Sequence, residues 1–344
     1  MKSPTSLSWT SILAAGCMAL MPLLPTGQAA ERIKLATLAP TGSSYHQSLL
    51  ALRDAWRKAS NGKVELVVYA DGKLGGEAET VGLMGVNSLQ ASLLTAIGLA
   101  EIEVAVSGLQ NIPMGFHSLA EVDYVGEKLQ PMLEERLAAK GYQVLFWSDA
   151  GWVRFFSRKA VVHPDDLRKQ KLFTWSGSPE AIQIYKAAGF DAVPLETADI
   201  VPSLQTGLID AVPVPPIYAL TAQIDSRAPH MVDINWGPLV GACVIRKATW
   251  DKFPAALREE MLQAAVITGK QIKEKGRQEM VDSIKAMEKR GLKVSQATPE
   301  VEAEWRAAAE AVYPMVRGKI VPADIFDKAL SLLQEFRSRP ASQP

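Results

Sequence analysis

The sequence predicts an α/β protein built as two lobes braced by one long helix, on three observations. Short apolar strands alternate with amphipathic helices from residue 33 onward, the pattern of a sheet layered with helices. The 344-residue chain is longer than one hydrophobic core sustains, since cores stop growing beyond about 250–300 residues. Residues 254–290 read as nearly continuous helix, and at about 1.5 Å per residue such a helix runs about 50 Å, longer than one lobe is wide.

Residues 1–30 stand apart as an export signal. Lys2 gives a cationic start, the apolar stretch 12–24 is broken only by Gly16 and Pro22, and Pro25-Thr26-Gly27-Gln28-Ala29-Ala30 forms a small-residue exit. The stretch falls short of the roughly 20 residues a membrane span needs, so cleavage near Ala29 or Ala30 is expected. Leu13-Ala14-Ala15-Gly16-Cys17 also fits a lipoprotein processing site with Cys17 lipidated, although the following residues stay apolar where a lipoprotein continues into a polar tether.

The remaining chain opens with a strand at 33–38 and a turn-rich loop ending in Ser43-Ser44, where a serine caps the next helix. Leu49, Leu52, Trp56 and Ala59 keep helical spacing until Asn61-Gly62 ends the run. Residues 64–69 are apolar on both faces, as in a sheet covered by helices on each side. A short helix at 77–84, a strand at 89–94, a helix at 121–140 stopped by Gly141, and a strand at 143–147 complete the first block. The second block holds Phe155-Phe156-Ser157, a turn at 162–167, a strand at 171–175, a helix at 179–188 ended by Gly189, and a helix at 199–206 ended by Gly207. These units are too few for a barrel. In the long helix, Gly269 and Gly276 are weak points and Gly291 is the exit. Helices at 299–315 and 323–337 follow.

Chemistry-bearing motifs are scarce. Lys and Arg total 37 against 37 Asp and Glu, with both signs interspersed, so no basic face points to nucleic acid. His46, His117, His163 and His230 are scattered outside any metal-ligand spacing. There is no Gly-x-Ser-x-Gly elbow and no dinucleotide fingerprint, and Leu74-Gly75-Gly76-Glu77 lacks the Lys-Ser/Thr continuation of a phosphate loop. No enzyme activity, cofactor or metal is expected. With Cys17 removed or lipidated, Cys243 has no disulfide partner, and its apolar surroundings at 240–245 predict a buried thiol.

Several stretches carry a resemblance: Asn61-Gly62-Lys63-Val64 with the Leu74-Gly75-Gly76-Glu77 turn, Val162-His163-Pro164-Asp165-Asp166-Leu167 before Lys171-Leu172, the run Leu204-Gln205-Thr206-Gly207-Leu208-Ile209-Asp210, and Trp250-Asp251-Lys252-Phe253-Pro254. They resemble the solute-binding proteins of TRAP transporters, the dicarboxylate-binding (DctP) family, over nearly the whole mature chain. The resemblance implies the two-lobed periplasmic binding protein fold with a hinge and a long bridging helix. It implies capture of a small-molecule ligand in the periplasm and delivery to a TRAP-type membrane permease, or to a periplasmic lipoprotein partner that some relatives use. The lobes are expected at 31–152 with 241–282, and at 153–240 with 283–340.

Departures from the family pattern fall on its ligand positions. The arginine that forks onto the ligand carboxylate falls at Phe173, or at Thr174 if the register slips by one, and a second family arginine falls at Val153. Arg154 is adjacent, but strand neighbours point to opposite faces. A Glu-Asn pair becomes Pro213-Val214. The expected ligand-binding set is therefore Phe173, Trp175, Val153, Trp152, Pro213, Val214 and Trp236, with Thr95 and Leu38 from the first lobe. Each aromatic taken singly also reads as core. Burying an ionised carboxylate without a cationic partner costs several kcal/mol, so an apolar or neutral ligand is expected rather than a dicarboxylate. The rival reading is a carrier or scaffold component of an envelope complex without a transport role, its cleft filled by its own side chains.

Overall fold

The computed structural model describes residues 30–176 and 179–339; the expected export signal and Cys17 lie outside them. Among the described residues nine strands form one sheet: β1 (Glu31–Thr37), β2 (Val64–Tyr69), β3 (Ala91–Thr95), β4 (Tyr142–Ser157), β5 (Lys171–Trp175), β6 (Asp191–Leu195), β7 (Ala211–Val214), β8 (His230–Arg246) and β9 (Lys293–Gln296). Their order is β2-β1-β3-β8-β4-β7-β5-β6, with β9 beside β8.

Two strands carry the architecture. β4 and β8, 16 and 17 residues long, pair antiparallel from Tyr142↔Arg246 to Ser157↔His230. At about 3.3 Å per residue each runs about 53 Å, enough to belong to two α/β halves at once. The first half attaches through β3, which pairs Thr95↔Gly241 to Ala91↔Ile245. The second attaches through β7, which pairs Arg154↔Val214 to Ser157↔Ala211, and through β9 on the other end of β8. This is the expected two-lobed layout.

The sequence divided β4 into two pieces because its middle breaks regular alternation. The register of β4 against β8 shifts between Asp149 and Trp152 and again between Val153 and Phe155, as at β-bulges. Gly151 there has φ +73° and a Cβ on it would meet the Met280 sulfur at 2.6 Å, so only glycine fits. The first half of β8 went unread because Asp233, Asn235, Gly237 and Pro238 interrupt its apolar run.

The long helix is Ala255–Glu288, 34 residues, about 51 Å. Its Met261, Ala265 and Ile272 join the core of the first lobe around Trp56 and Leu35, whereas Met287 joins a second-lobe core with Phe156 and Val212. Gly269 and Gly276 are close approaches rather than weak points: a Cβ on Gly269 would sit 2.6 Å from Phe146 Cβ, and one on Gly276 would overlap the Tyr45 hydroxyl. Beside the β4 bulge, Arg277 of this helix donates to both oxygens of Asp149 (2.9 and 2.8 Å) and of Asp123 (3.0 and 2.6 Å). Lys273 pairs with Asp123, and the Tyr45 hydroxyl donates to the Asp149 carbonyl at 3.0 Å.

The expected helix at 299–315 is two helices, Pro299–Glu310 and Tyr313–Lys319. Pro314 near the start of the second has no N–H to continue the first. The stretch 283–340, assigned from sequence to the second lobe, packs in two places. Trp305 and Ala309 enter a second-lobe core with Phe155 and Leu172. Helix Ala323–Arg337 instead lays Phe326, Leu332 and Leu333 into the first-lobe core with Val125, Leu129 and Leu133 of helix Leu119–Ala139. Among the described residues no helix is long and apolar enough to cross a membrane.

Candidate functional site

A cleft of about 480 Å³ opens between the two halves, within the range of small-molecule sites. Its second-lobe wall follows from the ladder between β5 and β7, which has the single register pair Leu172↔Ala211. Pro213, with no N–H, cannot extend it. Past that pair, Phe173, Thr174 and Trp175 of β5 face Pro213 and Pro215 across open space, and helix Pro179–Ala187 adds Ile184 and Tyr185. The first lobe contributes Ile97, Ala100 and the 3₁₀ segment Val104–Leu109 with Gln110 and Asn111 beyond it; Val312, Val316 and Ile320 close one flank.

Strand alternation decides which face each side chain takes. Leu172, Ala211 and Phe155 share a core with Phe190, Trp236 and Trp305, whereas Phe173, Val212 and Val214 belong to the core on the opposite face. Thr174 and Pro213 therefore lie on the face of Leu172 and Ala211, with Phe173 and Trp175 on the other, and the cleft lies across the strand ends where both faces border it. Of the residues expected from sequence, Val153, Phe173, Trp175, Pro213 and Trp236 border the cleft together. Trp152 packs in the first-lobe core, and Val214 is buried on the far face of β7. Leu38 lies against Gly72. Thr95 is engaged by Glu77, whose carboxylate accepts from Thr95 N at 2.6 Å, Thr95 Oγ1 at 2.5 Å and Gly98 N at 3.0 Å. Burial pushes the Glu77 carboxyl upward against those donors. The Gly-Gly-Glu turn thus holds the start of the short helix Ala96–Ala100 at the cleft edge.

Tyr185, Phe190, Gln110, Asn111, Val312 and Val316 were not read from the sequence, because neither an apolar nor an amide side chain records whether it faces a core or a cavity. Thr174 was legible only as the slipped alternative to Phe173.

Among the described residues no cation lines the interior of this cleft. The charged residues that border it are Glu101 and Lys319, both exposed at its mouth. Arg154 lies on the Val214 face of β4, where it donates to Ile234 O and to Asn235 Oδ1 and pairs with Asp233 at 3.0 Å. Burial pulls its pKa down, with Asp233 opposing. Among the described residues three hydroxyls border the cleft, and Ser107 Oγ already donates to Val104 O and Ile320 O. Thr174 Oγ1 is buried with no hydrogen-bond partner among the described residues, and burial raises the pKa of Tyr185, with Trp236 opposing. Among the described residues no group of His, Cys, Asp or Glu is arranged to hold a metal. Cys243 is buried and unpaired, its thiol pushed upward by burial.

The chain is similar to a solute-binding protein of Verminephrobacter eiseniae, 25% identical over 60% of this chain and 62% of that one, less than two thirds of that relative's length. It is 27% identical to the C4-dicarboxylate-binding periplasmic protein DctP of Rhodobacter capsulatus, over 76% of this chain and 78% of that one. Among solved structures it resembles the sugar acid binding protein of Advenella mimigardefordensis in complex with galactonate, with a TM-score of 0.83 at 18% identity, covering 89% of this chain and 99% of that one. These are binding proteins, not enzymes. Residues 35–319 match the profile of the bacterial extracellular solute-binding proteins of family 7, the DctP family, and the chain belongs to that family.

Proposed function

We propose that this protein captures a small, uncharged, mainly apolar solute outside the cytoplasmic membrane and delivers it to a TRAP-type membrane transporter, directly or through a periplasmic lipoprotein. The observation that carries this reading is that, among the described residues, no cation lines the cleft interior, where Phe173, Trp175, Pro213 and Trp236 border it and Arg154 is committed elsewhere. Two of the three relatives have names that refer to acids, a C4-dicarboxylate and a sugar acid. An ionised carboxylate in this cleft would lie beside aromatic and proline surface with neutral donors only, at a cost of several kcal/mol. Val153, Phe173, Trp175, Pro213 and Trp236 are the proposed contacts. The lobes turn about the register shifts of β4 near Asp149 to Phe155, and the ligand favours the closed arrangement by binding it more tightly than the open one.

Thermal unfolding with a ligand panel tests this reading. Neutral aromatic or alicyclic compounds are expected to raise the midpoint, since a ligand at 100 times its Kd adds about 2.7 kcal/mol of stability. Succinate and galactonate at the same concentrations are expected to leave it unchanged. A shift with the acids and none with the neutral compounds rejects the proposed ligand class.

A further inference from the structure

Resting on that reading of the cleft, we propose that its ligand is an uncharged carbonyl compound, an ester, amide or ketone on an apolar body, whose carbonyl oxygen accepts a hydrogen bond from the Thr174 hydroxyl.

Uncharged polar side chains with donors to spare border the cleft. Thr174 is 4% exposed, borders the cleft on the Leu172 face of β5, and its Oγ1 has no partner among the described residues. A buried hydroxyl without a partner is costly, and native proteins rarely leave one unmatched. Tyr185 also borders the cleft, and its phenolic O–H is able to donate. Gln110 accepts the Val240 N–H through Oε1 at 3.0 Å, which leaves its amide N–H groups available. A complementary ligand presents an acceptor. A carboxylate does so at the cost of an unbalanced charge, and a hydrocarbon leaves Thr174 unmatched. A neutral carbonyl meets both conditions.

Isothermal titration at pH 7 with 1-naphthaleneacetamide, 1-naphthaleneacetate and 1-ethylnaphthalene tests this on the wild type, Thr174→Val and Thr174→Ser. The amide is expected to bind the wild type about tenfold more tightly than either other compound, one hydrogen bond's worth. Thr174→Val is expected to abolish the preference of amide over hydrocarbon and to leave the ethylnaphthalene affinity unchanged. Its unliganded thermal midpoint is expected to equal or exceed that of the wild type, because the unmatched hydroxyl is gone. Thr174→Ser is expected to retain the preference. If Thr174→Val keeps the wild-type ratio of amide to hydrocarbon affinity, the assignment of Thr174 is overturned while the apolar cleft stands. If the carboxylate binds most tightly, or none of the three binds the wild type, the underlying reading of the cleft fails with it.

Discussion

Replacing Arg277 with methionine is expected to destabilise the protein by about 3 kcal/mol, the lower end of the range for breaking a buried ion pair. The guanidinium bridges Asp149 on β4 and Asp123 on helix Leu119–Ala139, with 4% and 31% of their side chains exposed. Methionine keeps the aliphatic packing but leaves two carboxylates facing each other, one of them buried at the β4 bulge. Lys273 still pairs with Asp123, which is why the lower end applies. Burial drives the Asp123 pKa up, but Arg277 and Lys273 outweigh it and hold the carboxyl below its usual range. The stabilisation from such a depressed carboxyl is complete above its unfolded pKa, near 3.9, and is lost as pH falls through the lower folded value. Urea titrations of wild type and R277M should therefore differ most at neutral pH and converge below about pH 4. A difference that does not narrow in acid contradicts the assignment of the cluster.

Trp305→Ala is expected to cost about 3–5 kcal/mol, as for other large buried aromatics. The side chain is fully buried. Its ring stacks on Phe155 at 5.7 Å and meets Trp236 edge-on at 6.1 Å, and its Nε1–H donates to Val162 O at 2.7 Å. Trp305 thus ties helix Pro299–Glu310 to the second lobe and backs Trp236, a wall of the cleft. Urea denaturation should show a lower midpoint with an unchanged slope, and the affinity for neutral ligands should fall as Trp236 loses its support. An unaltered affinity in W305A would show that the wall does not depend on this backing.

Short units with clear punctuation were legible in the sequence. Strand 171–175 matches β5, Gly207 ends its helix in the left-handed region, and helix 323–337 has the predicted bounds. The long bridging helix was read to within two residues at its end, because nothing else explains so many helix formers in succession. The crossing strands were harder. β4 and β8 are buried on both faces for much of their length and bulged at the hinge, so the period-two signal that marks a strand fades where two strands hold the lobes together. The docking of helix 323–337 on the first lobe was also illegible, because an apolar stripe records that a helix packs and not which surface it packs on. For the cleft, family motifs located Val153, Phe173 and Pro213. The parity of β5 and β7, which needs the sheet register, puts Thr174 and Pro213 on one face and Phe173 and Val214 on the other, and of these only Val214 does not border the cleft.

Native mass spectrometry of the protein purified from cells without denaturation tests the central claim most directly. A one-to-one complex with an uncharged, mainly apolar compound is the predicted result. Recovery of a bound sugar acid or dicarboxylate, displaced by the free acid and not by neutral carbonyl compounds, would contradict it.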